Sequence, residues 1–359
     1  MEHYGIFWNV QRLFDPNGLP VARELDAAGA NWTNSHYRRK IHNIVECLRA
    51  ITDDQPPAVL ALAEVESTRV LQDIRKTAGW DDLVIVDELV PDNTIDGLDV
   101  ALLFNKTLFD SKSLKAQSLS LDNRFATRDL LAVRLALRSN SKEVMFAVAH
   151  WPSRVVSEGV TLRFAYSIYL QRHVEAVLKF SKSDVVDAEG KTTLPPAEEL
   201  LERWSIPCFL MGDFNDEPYD PSVRLALQTT RSSQLVARRG KLKGKALTHV
   251  SNYLDTGVVL YNPCWNLAFD DDDTKIGGTY YRSEWRTYDH LIVSHGAVSD
   301  EGALRLVAGS PRPFRVRYNL GTKRKPVEMS TRGGFPKKFS PSALDGVSDH
   351  FPLVFKLAV

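Results

Sequence analysis

The chain has 359 residues, 45 Lys+Arg against 45 Asp+Glu, and a hydrophobic content of 43%. That length holds one large domain or two ordinary ones, with ample apolar material for a core. A formal net charge of +0 excludes a global field that gathers polyanions or membranes, so any electrostatic attraction must be local. Cys47, Cys208 and Cys264 lie far apart, without metal-binding spacing or an even count, the pattern of a reduced intracellular protein. The N-terminus shows no basic-then-apolar leader, and no apolar run approaches the ~20 residues that span a bilayer. The expectation is a cytoplasmic protein that does not engage a membrane.

In chain order, residues 5–10 predict a strand whose apolar run is broken by Asn9. That amide is either aimed into a site or caps the turn that follows. Ile41, Ile44, Val45, Leu48 and Ile51 fall at helical spacing and predict a helix over 37–51, with Arg38, Arg39 and Lys40 as a solvated face. Residues 57–63 predict a buried strand ending at Glu64. An acid there is costly to bury unless paired or metal-bound; otherwise it is N-terminal charge for a helix over 67–78. Strands follow at 83–86, 100–104, 130–137 and 144–149, the last running into His150-Trp151-Pro152-Ser153-Arg154. Periodicity then predicts a helix over 161–180, an exposed loop over 181–196 and a short helix over 197–204.

Residues 206–211 form an apolar run that ends in Gly212-Asp213-Phe214-Asn215. Positions i and i+2 of an extended segment point the same way, so Asp213 and Asn215 face one ligand together. A carboxylate beside a neutral amide suits a hard divalent cation and a phosphate oxygen; the alternative is a plain Asx turn. Beyond a helix over 221–228, the stretch 231–245 carries Arg231, Arg238, Arg239, Lys241, Lys243 and Lys245 and no acid. The acidic run 269–273 lacks the ligand spacing of a calcium loop and reads as solvated. Residues 288–294 predict a strand opening on Asp289, and 305–338 hold ten Lys/Arg against the single acid Glu328. Ser348-Asp349-His350 precede a last strand over 351–357. Polar strand ends recur from residue 9 to residue 350 without a linker, which predicts a single domain over 1–359.

Those strand ends supply carboxylates and amides for a hard metal, and histidines that titrate near neutrality. Phosphodiester hydrolysis needs an activated water, neutralised phosphoryl charge and help for the departing oxygen. No Gly-x-Ser-x-Gly elbow, zinc-spaced cysteine pair or glycine-rich phosphate loop is present.

The sequence resembles the endonuclease/exonuclease/phosphatase superfamily of DNase I-like enzymes. The resemblance rests on Trp8-Asn9-Val10, Leu62-Ala63-Glu64-Val65, Asp99-Val100-Ala101 and His150-Trp151-Pro152-Ser153-Arg154 in the first half. Gly212-Asp213-Phe214-Asn215, Tyr288-Asp289-His290 and Ser348-Asp349-His350 continue it in the family's order. The forms His-Trp-Pro-Ser-Arg and Asp-Phe-Asn-Asp-Glu-Pro look most like bacterial members of nuclease type. The resemblance implies an α/β (α+β) four-layer sandwich: two mixed β-sheets packed face to face with helices outside.

It also implies roles. Glu64, Asn9 and Asp349 would form the metal environment for Mg²⁺, with Mn²⁺ or Ca²⁺ as substitutes. Asp213 would orient the water and Asn215 hold the phosphate. His350, polarised by Asp289, would be general base or phosphate stabiliser. His150, held by Asp99, would protonate the leaving oxygen or contact the phosphate. Arg128 matches a phosphate-contacting arginine. Tyr281, Arg282 and Trp285 have the aromatic-plus-cation chemistry that stacks bases and clamps a backbone. The implied function is a metal-dependent nuclease, most simply an endonuclease, with DNA or RNA as partner. The alternatives are a phosphatase or phosphodiesterase of a small metabolite or lipid headgroup, and an inactive binding module, against which the intact histidines and carboxylates speak.

Overall fold

The computed structural model describes residues 1–18, 32–86, 97–121, 130–156, 158–187, 189–268, 277–300, 302–315 and 327–359. Arg128, the acidic run 269–273 and Lys323, Arg324 and Lys325 lie outside the described residues. The first part of the chain gives β1 (Glu2–Leu13), α1 (Asn34–Thr52), β2 (Val59–Val65), α2 (Thr68–Ala78), β3 (Leu83–Ile85) and β4 (Asp99–Asn105). The middle gives β5 (Phe109–Leu119), β6 (Leu130–Leu137), β7 (Glu143–His150), α3 (Gly159–Leu178), α4 (Lys182–Val185), α5 (Ala197–Trp204) and β8 (Cys208–Asp213). Then come β9 (Thr229–Thr230), α6 (Ser233–Arg239), α7 (Val250–Leu254), β10 (Leu260–Tyr261), β11 (Thr279–Tyr281) and β12 (Glu284–Arg286). The chain closes with β13 (Asp289–Val293), β14 (Arg305–Leu306), β15 (Arg312–Pro313) and β16 (Leu353–Ala358).

Two seven-stranded sheets result, ordered β14-β16-β1-β2-β4-β3 (with β15 also on β16) and β5-β6-β7-β8-β13-β10-β9. Both are mixed, since β1 runs parallel to β2 and β7 parallel to β8 while their other neighbours are antiparallel. The two-residue period of a strand divides the apolar side chains between two faces. Phe7, Ala61 and Leu102 of the first sheet meet Val133, Phe146, Phe209 and Leu291 of the second. Alternating with them, Trp8, Leu60 and Leu62 pack beneath Ile44 and Leu48 of α1. On the far side, Met145, Ala147 and Leu210 pack beneath Tyr166 and Leu170 of α3. The layers are therefore helix, sheet, sheet, helix, the expected sandwich.

The same alternation positions the polar strand ends. Asn9 follows Phe7, His150 follows Phe146 and Val148, Asp213 follows Phe209 and Met211, and Asp289 precedes Leu291, two residues apart each time. All four belong to the inter-sheet layer, at one end of it. They cap the core rather than interrupt it.

Three local expectations differ from the structure. The apolar pattern predicts no strand over Phe109–Leu119, yet β5 forms there as the edge of the second sheet. Its Lys115 and Gln117 are exposed while Leu114 and Ala116 pack on the core, so only one face carries an apolar signal. The helix expected over 221–228 is a single wide turn, Ser222–Ala226, with π-type hydrogen bonding. Most informative is Lys40, expected on a solvated face and only 3% exposed. Gln11 and Arg12 take left-handed conformations, φ 54° and 47°, and both their carbonyls accept from Lys40 Nζ. The ammonium also lies over the rings of Trp32 and Phe339, at 5.9 and 5.7 Å. Lys40→Met removes the donor for two carbonyls and should lower the unfolding free energy by about 1–3 kcal/mol. Urea denaturation measures this; an unchanged midpoint would show that water replaces the ammonium at no cost.

Candidate active site

β7, β8 and β13 end together. His150 is the register partner of Asp213, and Asp213 is the partner of Asp289, so three functional side chains stand abreast across neighbouring strands. The next residue along each motif turns to the opposite face. There the Trp151 ring stacks on Phe214 at 4.2 Å and 16°, and Phe214 on His290 at 5.2 Å and 23°. Gly212 permits this: a Cβ there would stand 2.3 Å from the Ala149 carbonyl oxygen and 2.8 Å from the Phe214 ring. His290 Nε2 donates to the Asp216 carbonyl at 2.9 Å, and Asn262 Nδ2 donates to His290 Nδ1 at 3.1 Å. The Asn262 contact requires the neutral ring, with Nδ1 as acceptor, and burial pushes its pKa down to about 4.

The Asp-Glu-Pro extension of the central motif is a brace. Asp216 receives Arg163 Nε at 2.8 Å and an Arg154 guanidinium nitrogen at 3.0 Å. Arg154 Nε also donates to the Asn215 carbonyl at 2.8 Å, while its guanidinium lies 5.1 Å from the Tyr288 ring centre. Glu217 accepts from the Thr287 amide at 3.1 Å. His-Trp-Pro-Ser-Arg and Asp-Phe-Asn-Asp-Glu-Pro are thus two halves of one contact. It holds Asn215 at φ 52°, with its amide on Asp213 Oδ1 at 3.0 Å and its side-chain Nδ2 on the Trp151 carbonyl at 2.9 Å.

From the first sheet comes Glu64, at a register shift between Ala63 and Val65 and with φ 63°. A left-handed non-glycine residue costs on the order of 1–3 kcal/mol, and such bulges re-aim side chains next to sites. Glu64 Oε1 accepts from Asn9 Nδ2 at 3.0 Å and Oε2 from the Arg12 amide at 2.8 Å. Asn9 Nδ2 is also 3.2 Å from Asp213 Oδ2, and Asn9 Oδ1 accepts from the Gln11 amide at 3.0 Å, which orients the carboxamide. Asp99, in register with Val65, accepts from the Val100 amide at 2.7 Å.

The final motif closes the site. Ser348 Oγ donates to the Asn9 carbonyl at 2.6 Å and accepts from the His350 amide at 3.1 Å, while Trp8 Nε1 donates to the His350 carbonyl at 2.9 Å. His350 Nδ1 faces Asp289 Oδ2 at 2.9 Å. Thr279 completes this pair, its Oγ1 donating to Asp289 Oδ2 at 2.9 Å and standing 2.9 Å from His350 Nδ1. Sequence reasoning missed Thr279; the one local signal is the preceding Gly277-Gly278, where a Cβ on Gly278 would approach Asp289 Oδ2 to 3.3 Å.

Asp213 Oδ2 is the hub of the arrangement. His150 Nε2 and His350 Nε2 each lie 3.7 Å from it, and His150 Nε2 is 3.9 Å from Glu64 Oε1. Burial pushes the Asp213 carboxyl up to about 7, with nearby Asp289 adding to the rise and His350 opposing it. Burial alone would depress His350, but the charge and hydrogen bond of Asp289 carry it well above the usual histidine value.

Among the described residues, Asp213, Asp289 and His350 have ligand atoms within 4.8 Å of one another and can hold a cation. Beside them, Asn9 Nδ2 bridges Glu64 Oε1 and Asp213 Oδ2, so the oxygens of the type Mg²⁺ takes at this corner are those of the two carboxylates. Asp349, expected in the same corner, has a 30% exposed side chain and pairs with Lys338 at 3.3 Å. The substrate-side trio lies on the β11–β12 hairpin, whose turn residues Arg282 and Ser283 are left-handed at φ 48° and 66°. Arg282 is exposed and stands 5.2 Å from the Tyr281 ring centre. Trp285 instead stacks on Phe335 and Phe351 at 5.7 and 6.3 Å and anchors the hairpin.

The His290 geometry generates a pH dependence. An unfolded histidine binds its proton near 6.5 and the folded one near 4, so between those values the unfolded chain carries the extra proton. Stability is therefore full above pH 6.5 and falls as the pH drops through about 4, by up to about 3 kcal/mol from this group. In His290→Phe, which keeps a ring on Phe214, unfolding midpoints should fall less steeply between pH 6.5 and 4.5. An identical slope would place the acid sensitivity elsewhere.

The Endonuclease/Exonuclease/phosphatase family profile matches residues 5–359. Among solved structures, the human nocturnin catalytic domain with bound sulfate superposes with a TM-score of 0.51 and 16% identity, over 99% of this chain and 94% of that one. D. rerio TDP2 complexed with a single-strand DNA product gives 0.50 and 11%, over 100% and 99%. A mannosyl-6-phosphatase of Bacteroides thetaiotaomicron gives 0.53 and 12%, over 99% and 100%. Identities this low establish a common fold and nothing finer. No curated protein sequence matches the chain. The family match over nearly the whole length, on a sandwich that gathers its strand-end acids and histidines at one edge, makes this chain a member of the endonuclease/exonuclease/phosphatase family.

Proposed function

We propose that this chain is a metal-dependent phosphodiester hydrolase acting on nucleic acid, an endonuclease in its simplest form, with residues 1–359 as one catalytic unit. The observation that carries the reading is Asp213 Oδ2 with an imidazole Nε2 on either hand, each at 3.7 Å, and the Asn9 amide beside it. An ionisable carboxylate flanked by two proton carriers is what in-line attack of water on a phosphate needs. Asp213, with a pKa near neutrality, accepts the hydrogen bond of the attacking water and takes its proton. His350 is kept protonated by Asp289, so it donates to a phosphoryl oxygen and stabilises its charge. Thr279 and Asp289 hold that ring in place. His150 stands across the hub from His350 and is placed to protonate the departing oxygen. Asn215 fixes the backbone around Asp213.

Glu64 is the residue at this corner whose oxygens would hold Mg²⁺, with Mn²⁺ or Ca²⁺ as substitutes, while the Asn9 amide orients its carboxylate and Asp349 would join by leaving Lys338. When bound, such an ion neutralises phosphoryl charge. Nucleic acid is favoured over a smaller ester by exposed Arg282 on the hairpin and by the cations of 305–338 that fall at this edge. Of these, Arg315 lies over Trp285 and Lys338 beside Asp349. Tyr281 and Arg282 offer a stacking surface and a backbone contact. Buried, unpaired Cys47, Cys208 and Cys264 are consistent with a reducing compartment, the cytoplasm.

Plasmid DNA, single-stranded DNA, RNA, a nitrophenyl phosphodiester and phosphorylated sugars, each in Mg²⁺, Mn²⁺ and EDTA, test the reading. Cleavage of a polynucleotide that is lost in EDTA is expected. Activity confined to small phosphoesters would replace it with a metabolite phosphatase, and undiminished activity in EDTA would remove the metal. His350→Ala and His150→Ala should each lose at least ~10²-fold in kcat. Asp289→Asn should follow His350→Ala. A nitrophenyl leaving group needs no proton, so it should restore His150→Ala and leave His350→Ala impaired. If His150→Ala stays equally impaired on that ester, its role is to bind the phosphate.

A further inference from the structure

The basic stretch 231–245 does not lie at the active-site edge. Trp204, at the end of α5 before β8, donates from Nε1 to the Gly240 carbonyl at 2.7 Å, and a Cβ on Gly240 would meet the His295 ring at 2.3 Å. His295 follows β13 at the end opposite Asp289, where the Ser294 amide donates to the Cys208 carbonyl at 3.0 Å. β8 runs from Cys208 to Asp213, five residue steps or about 17 Å. The stretch therefore occupies the far pole of the second sheet.

At that pole Arg231, Arg238, Arg239, Lys241, Lys243 and Lys245 are all exposed. Leu242 turns inward at 6% exposure, so Lys241 and Lys243 both project outward on either side of it. With Leu235 and Ala237, the cations Arg238, Arg239, Lys241 and Lys243 line a groove of about 490 Å³. None of these four makes an ion pair with a described residue. Some cations elsewhere are compensated, as where Arg154 and Arg163 meet Asp216, Arg134 meets Glu143, and Lys337 meets Glu328 and Asp345. In a chain with no net charge, an acid-free stretch of six cations at one pole is a strong local field.

We infer that this groove is a second polyanion site, a distal anchor for the phosphate backbone of the nucleic acid whose reacting phosphate lies at Asp213; this rests on the nuclease reading. Six cations within residues 231–245 suit a repeating backbone charge better than a single phosphate. A duplex carries a phosphate every 3.4 Å along each strand, so about 17 Å corresponds to at least about five nucleotide steps. Substrates shorter than that reach only the catalytic edge. Longer ones are held at both.

The test compares the unaltered chain with a variant carrying Arg238→Ala, Arg239→Ala, Lys241→Ala and Lys243→Ala, all at exposed positions. Fluorescence anisotropy with a 20-nucleotide duplex over a salt series, in EDTA, should show a log–log slope shallower by about 2–4, at about 0.9 for each phosphate no longer neutralised. In Mg²⁺ and low salt, kcat/KM should fall at least about tenfold on that duplex, while a three-nucleotide substrate and a nitrophenyl diester are hydrolysed as before. A second variant, Arg238→Lys with Arg239→Lys, should keep the slope, separating charge from shape. An unchanged slope in the Ala variant, with the unaltered chain cleaving the duplex, overturns the anchor alone. Failure of the unaltered chain to cleave nucleic acid of either length overturns the nuclease reading and the anchor with it.

Discussion

His150, Asp213 and Asp289 stand abreast because β7, β8 and β13 terminate in register, and the rest of the site is arranged about that row. The register is held from behind by rings that belong to the same three motifs. Trp151, Phe214 and His290 are each one residue beyond a functional side chain, so strand alternation sends them to the opposite face, where they stack in sequence. A slip of one residue in any of the three strands would exchange ring for acid or imidazole. The catalytic and structural halves of each motif therefore cannot vary independently. Gly212 adds a steric condition, leaving room for the Ala149 backbone and the Phe214 ring to approach.

Concentrating ionisable groups at the end of an apolar layer has an electrostatic cost, because a buried charge is tolerated only when paired. The network answers this in two ways. Asp289 is matched with His350 and Thr279, a pair in which burial is outweighed by the opposite charge. Among the described residues, Asp213 has the Asn9 amide and the Asn215 backbone as close donors, and burial outweighs them, so its pKa climbs to about 7. Asp213 and His350 are thereby driven to different protonation behaviour by their surroundings, which separates acid from base across the hub. The left-handed Glu64 and the Lys40-held Gln11–Arg12 turn bring the first sheet's carboxylate to the same point.

Much of this is visible in the sequence because the relevant signals are local. Apolar runs of four to six residues ending in Asn, Glu, His or Asp mark strands that reach a shared edge, and His-Trp-Pro-Ser-Arg, Gly-Asp-Phe-Asn and Ser-Asp-His specify their residues. What could not be read is long-range. Thr279 looks like any strand threonine, and only the fold brings it to Asp289 and His350. Lys40 reads as helix surface because its partners, the Gln11 and Arg12 carbonyls, depend on a backbone conformation no composition announces. Trp285 anchors its hairpin by stacking on Phe335 and Phe351, which come from segments some 50 residues or more along the chain. β5 is an edge strand with a polar outer face and so a weak apolar pattern, and the bracing role of Asp216 depends on Arg154 and Arg163, which reach it from more than 50 residues away.

The central claim is that Asp213 and His350 work as one unit across the hub. A double-mutant cycle on a small phosphodiester, with Asp213→Asn, His350→Ala and both together, measures it most directly. Groups that act as a unit are strongly non-additive, so the double variant should be no more than about tenfold below the weaker single variant. If the two losses simply multiply, the residues act independently and this account of the site is wrong.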